Sequence, residues 1–245
     1  MALLEVTGLV RRFRGLAAVD GLSFTVDEGQ TLAIIGPNGA GKSTAFNLIS
    51  GLLRPHGGTI RFDGRDVTRA PSHARTRAGL GRTFQLVQPF FDLDVLGNVM
   101  VGALFGGATH SMPAARAEAE RLCGQVGLGG RLHAPVAALT IADRKRLELA
   151  RALATRPKLL LLDELMEGLT PTEERDAIAL LGRIRADGVT LLLIEHVMST
   201  VRDLSDQVIV MDYGKMLAQG TYAEISKDPN VIGAYLGTDE QAEAS

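Results

Sequence analysis

Cysteine is nearly absent from this sequence. Cys123 is the single cysteine among 245 residues. No disulfide can therefore form within the chain, and a metal site built from several thiolates is excluded. Because stable disulfides belong to oxidising compartments, the composition favours a protein of a reducing compartment.

The sequence also lacks a strong charge imbalance and any long apolar run. Its formal net charge is −2, and its 26 lysines and arginines are scattered apart from short clusters at 11–14 and 144–146. Nucleic-acid-binding proteins concentrate basic residues on one face, so we expect no nucleic-acid partner. The longest apolar runs, such as 159–162 and 189–194, are far shorter than the ~20 residues that a membrane-spanning helix needs. We therefore expect no transmembrane segment.

The sequence does contain enough apolar material for a core, since 46% of its residues are hydrophobic. Short, nearly continuous apolar runs predict parallel strands buried on both faces, and helical patterns lie between them. The first thirty residues instead alternate apolar and polar side chains, which predicts an antiparallel sheet. Residues 90–155 are helical in pattern, with Pro113 placed to begin a helix. The apolar runs begin at Thr31, Lys158, Val189 and Gln207.

These patterns predict an α/β fold with three parts. The core has a mostly parallel sheet, an antiparallel β subdomain precedes it, and a helical subdomain is inserted at about residues 90–155. We expect one domain over 1–237 and a polar C-terminal tail over 238–245.

A glycine-rich segment between an apolar run and a helical pattern predicts a phosphate-binding loop of a P-loop nucleotide hydrolase. Glycines let successive backbone N–H groups point into one concavity, and the N-terminus of the following helix adds positive potential. Lys42 can reach the β- and γ-phosphates, and the Ser43 hydroxyl can bind Mg²⁺. A chance glycine turn is the alternative, but the flanking strand and helix argue against it. The predicted nucleotide-binding residues are Gly36, Pro37, Asn38, Gly39, Ala40, Gly41, Lys42, Ser43 and Thr44.

Two acidic residues end the apolar run "LLLLDE". Ligands of open α/β sheets lie at the carboxyl ends of the strands, which is where Asp163 and Glu164 are expected. Asp163 can hold Mg²⁺ directly or through water, and Glu164 can orient or deprotonate the attacking water. Paired acids at a strand end are also common as solvated turn residues. The nearby phosphate loop favours the functional interpretation.

Three further residues are candidates for the nucleotide site because of their positions along the chain. Phe13 precedes the phosphate loop and could stack on adenine; Gln85 follows a short strand; His196 follows another strand. Each also has an ordinary explanation, as a core ring, a surface amide and a strand-end histidine. A guanine-reading Asn-Lys-x-Asp segment is missing, so a small GTPase is not expected.

The ordered set of "GPNGAGKST", "GRTFQ", "RLELARALATRPKLLLLDE" and "LLLIEHVM" resembles the ATPase subunit of ATP-binding-cassette transporters over nearly the whole chain. It is most similar to the importer ATPases for branched-chain amino acids. The resemblance implies ATP and Mg²⁺ as cofactors, with Gln85 sensing Mg²⁺ and the attacking water and His196 holding the γ-phosphate.

The same resemblance implies an assembly. Two ATPase subunits face head to tail, bind transmembrane permease subunits at the cytoplasmic face of the membrane, and serve a substrate-binding protein indirectly. Closure around ATP and reopening after hydrolysis would switch the permease between two states. The apolar segment 85–96, "QLVQPFFDLDVL", is expected to form a docking groove for a permease helix, with a buried hinge as the alternative.

The family signature, Leu-Ser-Gly-Gly-Gln or Leu-Ser-Tyr-Gly-Gln, is degenerate here. Thr140, Ile141, Ala142 and Asp143 occupy its last four positions. Read locally, Thr140 and Asp143 approach a capping box at the start of a helix. The family resemblance instead implies that the signature residues face the ATP of the partner subunit, where the carboxylate of Asp143 would repel the γ-phosphate.

Further departures from the family pattern occur at Leu165, Glu167, Thr170 and Val197. They favour a heterodimer with a second ATPase subunit whose signature is intact. Two alternatives remain at this stage: a soluble ATPase of the same superfamily, or a nucleotide-binding regulatory subunit with weak hydrolysis.

Overall fold

The computed structural model describes residues 1–84, 88–107, 109 and 111–242. The chain divides into two compact units. The first unit combines Met1–Pro71 with Thr190–Ser245, and the second unit is Ser72–Val189.

The described elements combine strands with helices, as the sequence predicts. In chain order the strands are β1 (Ala2–Phe13), β2 (Leu16–Asp27), β3 (Thr31–Ile35), β4 (Gly57–Phe62), β5 (Arg65–Asp66), β6 (Leu80–Arg82), β7 (Leu159–Asp163), β8 (Thr190–Ile194), β9 (Gln207–Asp212) and β10 (Lys215–Gly220). The helices are α1 (Lys42–Ile49), α2 (Ser72–Arg77), α3 (Val95–Phe105), α4 (Met112–Gln125), α5 (Ile141–Leu153), α6 (Pro171–Ala186), α7 (Met198–Leu204), α8 (Tyr222–Ile225) and α9 (Pro229–Ala242). Short 3-10 turns lie at Gly129–Arg131 and Val136–Ala138.

The first unit contains an antiparallel sheet in the strand order β2-β1-β4-β5. Val6 on β1 lies opposite Phe24 on β2 and Ile60 on β4, and all three side chains are buried. Neighbouring strands therefore pack apolar side chains on one face, and their antiparallel pairing confirms the sheet predicted from the first thirty residues.

The other strands of the first unit pair mostly in parallel. β3 lies between β8 and β9 and pairs with both in parallel, and β10 returns antiparallel beside β9. Every residue of β3 and β8 is buried. That burial is the reason these strands read as continuous apolar runs rather than as an alternating pattern.

In the second unit, β6 and β7 pair in parallel with Arg82 beside Leu161. Helices α3, α4 and α5 pack against one another, and Pro113 lies in the first turn of α4 as predicted. A Cβ on Gly102 of α3 would lie 2.5 Å from the carbonyl oxygen of Arg151 on α5, so glycine is required for this close helix contact. Among the described residues, no helix has the length and apolar character needed to cross a membrane.

Candidate functional site

The phosphate loop joins β3 to α1 within the first unit, in the strand–loop–helix order that the sequence predicts. Gly36, Gly39 and Gly41 have φ angles of 145°, 82° and 100°, a left-handed region in which other residues are strained. A Cβ on Gly36 would lie 2.1 Å from the Met211 carbonyl oxygen, and one on Gly41 equally close to that of Ala18. The close approach of two neighbouring backbones thus requires glycine in this loop.

Lys42 is held within the phosphate loop. Its side chain is nearly buried, and its Nζ donates hydrogen bonds to the carbonyl oxygens of Gly36 at 2.6 Å and Pro37 at 3.0 Å. Helix α1 starts at Lys42 and has no acidic residue in its first turn, so the positive end of its dipole is not neutralised from within that turn. Loop, ammonium and helix together make a site suited to phosphate groups.

The C-terminal helix α9 contacts the same loop. The backbone N–H of Gly36 is hydrogen-bonded to the Tyr235 hydroxyl, and burial raises the pKa of Tyr235. Sequence reasoning did not single out this tyrosine, and only its place in the motif "VIGAYLG" could have drawn attention to it.

Two other predicted residues of the first unit are accessible to a ligand. Phe13 ends β1 with 42% of its surface exposed, and the Arg11 guanidinium lies 4.7 Å from its ring centroid. His196 is exposed just beyond β8. Their proposed contacts with adenine and with the γ-phosphate stay predictions.

In the second unit, Asp163 ends β7 as predicted and is 5% exposed. Arg82 on β6 donates from Nη2 to the Asp163 Oδ2 at 2.9 Å. Burial lowers the pKa of Arg82, and the charge of Asp163 opposes that shift. Sequence reasoning missed Arg82, although its position at the end of a strand beside β7 is typical of a residue near the site.

Glu164 follows Asp163 with a φ of 48°, a left-handed conformation that is strained for a residue with a Cβ. Lys145 on α5 is 9% exposed and donates from Nζ to the Glu164 carbonyl oxygen at 2.9 Å. The helix that begins at the signature thus holds the backbone of the predicted general base. Lys145 was not anticipated from the sequence.

Besides Asp163, the second unit has a buried carboxylate at Glu148, which sequence reasoning missed. It lies on α5, is 5% exposed, and accepts a hydrogen bond from the backbone N–H of Phe84. Burial raises its pKa to about 7, and the Phe84 N–H, Arg151 and Lys145 oppose this shift. Gln85, the next residue after Phe84, lies outside the described residues, so its predicted role stays a prediction.

The signature segment corrects one sequence prediction. Thr140 caps α5, and its Oγ1 accepts a hydrogen bond from the Asp143 N–H at 3.1 Å, as expected. The Asp143 carboxylate does not complete a capping box. It pairs with Arg131 Nη1 at 2.7 Å and Arg146 Nη1 at 3.6 Å. Two guanidinium groups thus compensate the Asp143 carboxylate within the chain, and its expected repulsion of a partner's γ-phosphate stays a prediction.

The neighbouring signature positions differ in exposure. Ile141 is 61% exposed, whereas Ala142 is buried. Thr170, one of the departures from the family pattern, forms a complete capping box with Glu173 at the start of α6. That substitution therefore has a local structural role as a helix cap.

Apolar side chains are exposed in part of the predicted docking segment. We call Phe90, Phe91 and Leu93, together with Phe84 just before the segment, the docking surface. The exposed fractions of Phe84, Phe90, Phe91 and Leu93 are 46%, 46%, 63% and 37%. Val95 and Leu96, at the end of the segment, are instead buried in α3. Residues 85–87 lie outside the described part of the chain.

The side chains proposed for Mg²⁺ supply suitable donors. Mg²⁺ prefers oxygen ligands and usually keeps several waters while binding one or two carboxylates and substrate phosphates. The Ser43 hydroxyl, the Asp163 carboxylate and the Gln85 amide provide such oxygens. Among the described residues, no cluster of three or more His, Cys, Asp or Glu forms an all-protein metal cage. The donor set fits a metal held mainly by nucleotide and water.

Two family models match the chain. Residues 19–167 match the model described as "ABC transporter", and residues 215–241 match that described as "Branched-chain amino acid ATP-binding cassette transporter". The chain is 39% identical to the high-affinity branched-chain amino acid transport ATP-binding protein BraF of Pseudomonas aeruginosa, over 96% of this chain and 98% of that protein. It is 37% identical to LivG of Escherichia coli, a protein with the same description, over the same shares.

Solved structures agree with this similarity. A nucleotide-free ATP-binding cassette from an ABC transporter is 30% identical, with a TM-score of 0.88 over 96% of this chain and 99% of that one. An ATP-binding cassette of an ABC transporter in its ADP conformation is also 30% identical, with a TM-score of 0.89 over 97% and 99%. These matches confirm the predicted fold class. The chain belongs to the ABC transporter family, as one of its ATP-binding cassette ATPase subunits.

Proposed function

We propose that this chain binds ATP with Mg²⁺ and hydrolyses it to power an importer of branched-chain or related amino acids. The phosphate loop carries the proposal, because Lys42 is held inside a loop whose glycines have left-handed backbones. The amino-acid substrate class is supported by the BraF and LivG relatives, which are described as transport proteins for it. Relatives of this kind also favour an importer subunit over a soluble ATPase.

Within the first unit, different residues would bind different parts of the nucleotide. The N–H groups of the loop and the positive end of α1 attract the phosphates, and Lys42 exchanges carbonyl contacts for the β- and γ-phosphate oxygens. The half-exposed ring of Phe13 offers a face for the adenine base. His196 would donate a hydrogen bond to the γ-phosphate.

Catalysis would use the end of β7 in the second unit. Ser43, Asp163 and Gln85 would hold the magnesium ion, which neutralises charge on the phosphates when it is bound. Glu164 would accept a proton from the attacking water or orient it. The Lys145 hydrogen bond to the Glu164 carbonyl would help to hold the Glu164 backbone in its left-handed conformation.

Permease subunits are the proposed partners of the docking surface. Exposed aromatic side chains at Phe84, Phe90 and Phe91 are suited to packing against an apolar helix. The chain would then work as a peripheral subunit at the cytoplasmic face of the membrane, and a substrate-binding protein would deliver the amino acid to the permease from the other side.

We propose a heterodimer with a second ATPase subunit, because the signature of this chain would approach a partner's phosphate less closely. The family signature uses glycines to bring its backbone close to the partner's phosphate. In both forms of the signature the fourth residue is glycine, and here Ala142 places a Cβ at that position. A partner with an intact signature would complete the site at Lys42 and Glu164, and the signature of this chain would serve the opposite site poorly.

Co-expression with two permease subunits, a binding protein and a second ATPase encoded nearby tests the function directly. In proteoliposomes, leucine uptake should require ATP and should stop with Glu164→Gln, which keeps the shape of the side chain but cannot act as a base. Uptake that persists with Glu164→Gln would refute the catalytic assignment. ATP turnover that no permease stimulates would refute the transport role.

The heterodimer has its own test. Purified chain alone should turn over ATP slowly, and Ala142→Gly should increase its ATP-dependent self-association, whereas Ala142→Ser keeps a Cβ and should not. Equal turnover with and without the second ATPase would contradict the asymmetric assembly.

A further inference from the structure

A compact set of charges surrounds Asp163 within the second unit. Arg82 and Asp163 form an ion pair in which the side chains are 9% and 5% exposed, with 2.9 Å between Nη2 and Oδ2. Glu148 acts on the same guanidinium electrostatically from α5. One buried cation thus interacts with two buried carboxylates.

The surrounding structure fixes the position of this guanidinium. Arg82 is the last residue of β6, and the next backbone N–H, of Thr83, is hydrogen-bonded to the Leu161 carbonyl of β7 at 2.9 Å. The guanidinium also lies 5.0 Å from the Phe84 ring centroid. The Phe84 N–H is in turn hydrogen-bonded to Glu148. Strand, ring and carboxylate together hold the cation beside Asp163.

Such an ion pair is not explained by stability alone. A buried ion pair loses its hydration on both sides, and apolar residues of similar volume often stabilise a protein equally well. Here the carboxylate in the pair is the one proposed to bind Mg²⁺. A fixed positive charge next to a ligand oxygen opposes the approach of a second cation.

We propose that Arg82 is a positioning residue that orients and neutralises Asp163 before Mg·nucleotide arrives, and that it competes with the metal for this carboxylate. The inference rests on the proposed function, because it takes Asp163 as the metal ligand. With Asp163 engaged by Mg²⁺, the guanidinium would keep its interactions with Glu148 and the Phe84 ring.

The competition predicts a specific effect on metal affinity. Arg82→Gln removes the charge and keeps a hydrogen-bond donor for Asp163, so it should lower the Mg²⁺ concentration needed for half-maximal stabilisation of the ADP complex by about tenfold. Arg82→Lys keeps a positive charge but loses the planar group that lies over the Phe84 ring, so its metal dependence should lie between those of the unchanged chain and Arg82→Gln. Binding of ADP in EDTA should be the same in all three proteins, because Lys42 and the loop are unaltered.

The measurement uses the full chain without turnover. Mn²⁺ binding to the protein–ADP complex is followed by electron paramagnetic resonance, and thermal unfolding is recorded with ADP at increasing Mg²⁺. Arg151→Gln is the matched control, because it also removes a partly buried arginine that acts on Glu148 but belongs to α5. It should leave the metal dependence unchanged.

Three results are decisive. Tighter metal binding in Arg82→Gln alone supports the competition. Unchanged or weaker metal binding in that variant, or an equal change in Arg151→Gln, overturns it. If Arg82→Gln folds poorly, Arg82→Lys replaces it, and unchanged or weaker metal binding in Arg82→Lys then overturns the proposal. If the unchanged chain binds no nucleotide at all, the proposed function itself fails, which is a separate outcome.

Discussion

Lys145→Met tests whether the signature helix controls the geometry of the proposed general base. Lys145 is 9% exposed and its Nζ donates to the Glu164 carbonyl oxygen at 2.9 Å. Methionine has a similar length and apolar stem but cannot donate. Hydrogen bonds that involve a charged group contribute about 1.5–3 kcal/mol, so we expect the free energy of unfolding to fall by about 2 kcal/mol.

The kinetic effect should exceed what this loss of stability explains. Glu164 has a φ of 48°, and without the Lys145 contact its backbone should relax toward an unstrained conformation. Displacing a catalytic group by about 1 Å can lower the rate about 100-fold. We expect kcat for ATP to fall by about 10- to 100-fold, while the KM for ATP changes less than about twofold, because the phosphate loop is untouched.

The assays are steady-state ATP turnover with the partner chains present and urea unfolding of the purified chain. Lys158→Met is the control, because Lys158 is an exposed lysine just before β7; it should change stability by less than about 0.5 kcal/mol. A Lys145→Met protein that loses about 2 kcal/mol yet keeps full kcat would show that Lys145 supports only the fold. A rise in KM with unchanged kcat would also refute the reasoning.

Three further predictions address other parts of the molecule. Lys42→Ala should weaken ATP binding by at least about tenfold in calorimetry, since it removes a charge-assisted contact to the phosphates; equal affinity would exclude Lys42 from the site. The sequence has no tryptophan and three tyrosines, so tyrosine fluorescence can report on nucleotide binding at the phosphate loop. Tyr235→Phe should abolish the fluorescence change that nucleotide induces, because the hydrogen bond to the Gly36 N–H is lost, whereas Tyr222→Phe should retain the change. The reverse result would contradict the contact between Tyr235 and Gly36. Glu148 has its pKa raised from 4.5 to about 7 by burial, so the folded state holds the proton more tightly than the unfolded state, and its contribution to stability should decline as pH rises from about 4.5 to 7. Urea unfolding at pH 5 and 8 should show a smaller loss for Glu148→Gln than for the unchanged chain, and an equal loss would assign the pH dependence to other groups.

Much of the fold is determined by local patterns in the sequence. The runs at β3 and β8 are continuous because both faces of those strands are buried, and the alternation in β2 arises because every second residue from Leu22 to Val26 is buried. The phosphate loop is readable for a similar reason: its glycines are required by left-handed backbone angles that hardly any other residue adopts without strain. Such signals lie within a few residues of the feature that they predict.

Tertiary structure decided what distant residues do to one another. Asp143 reads as a bare carboxylate in a signature motif, but Arg131, twelve positions earlier, pairs with it. Arg82 and Asp163 are 81 positions apart and meet only because β6 and β7 pair in parallel. Lys145 and Glu164 meet because α5 packs near the end of β7. The charge and backbone geometry of a site depend on such neighbours, because Coulomb and hydrogen-bond energies follow distance in space rather than separation along the chain.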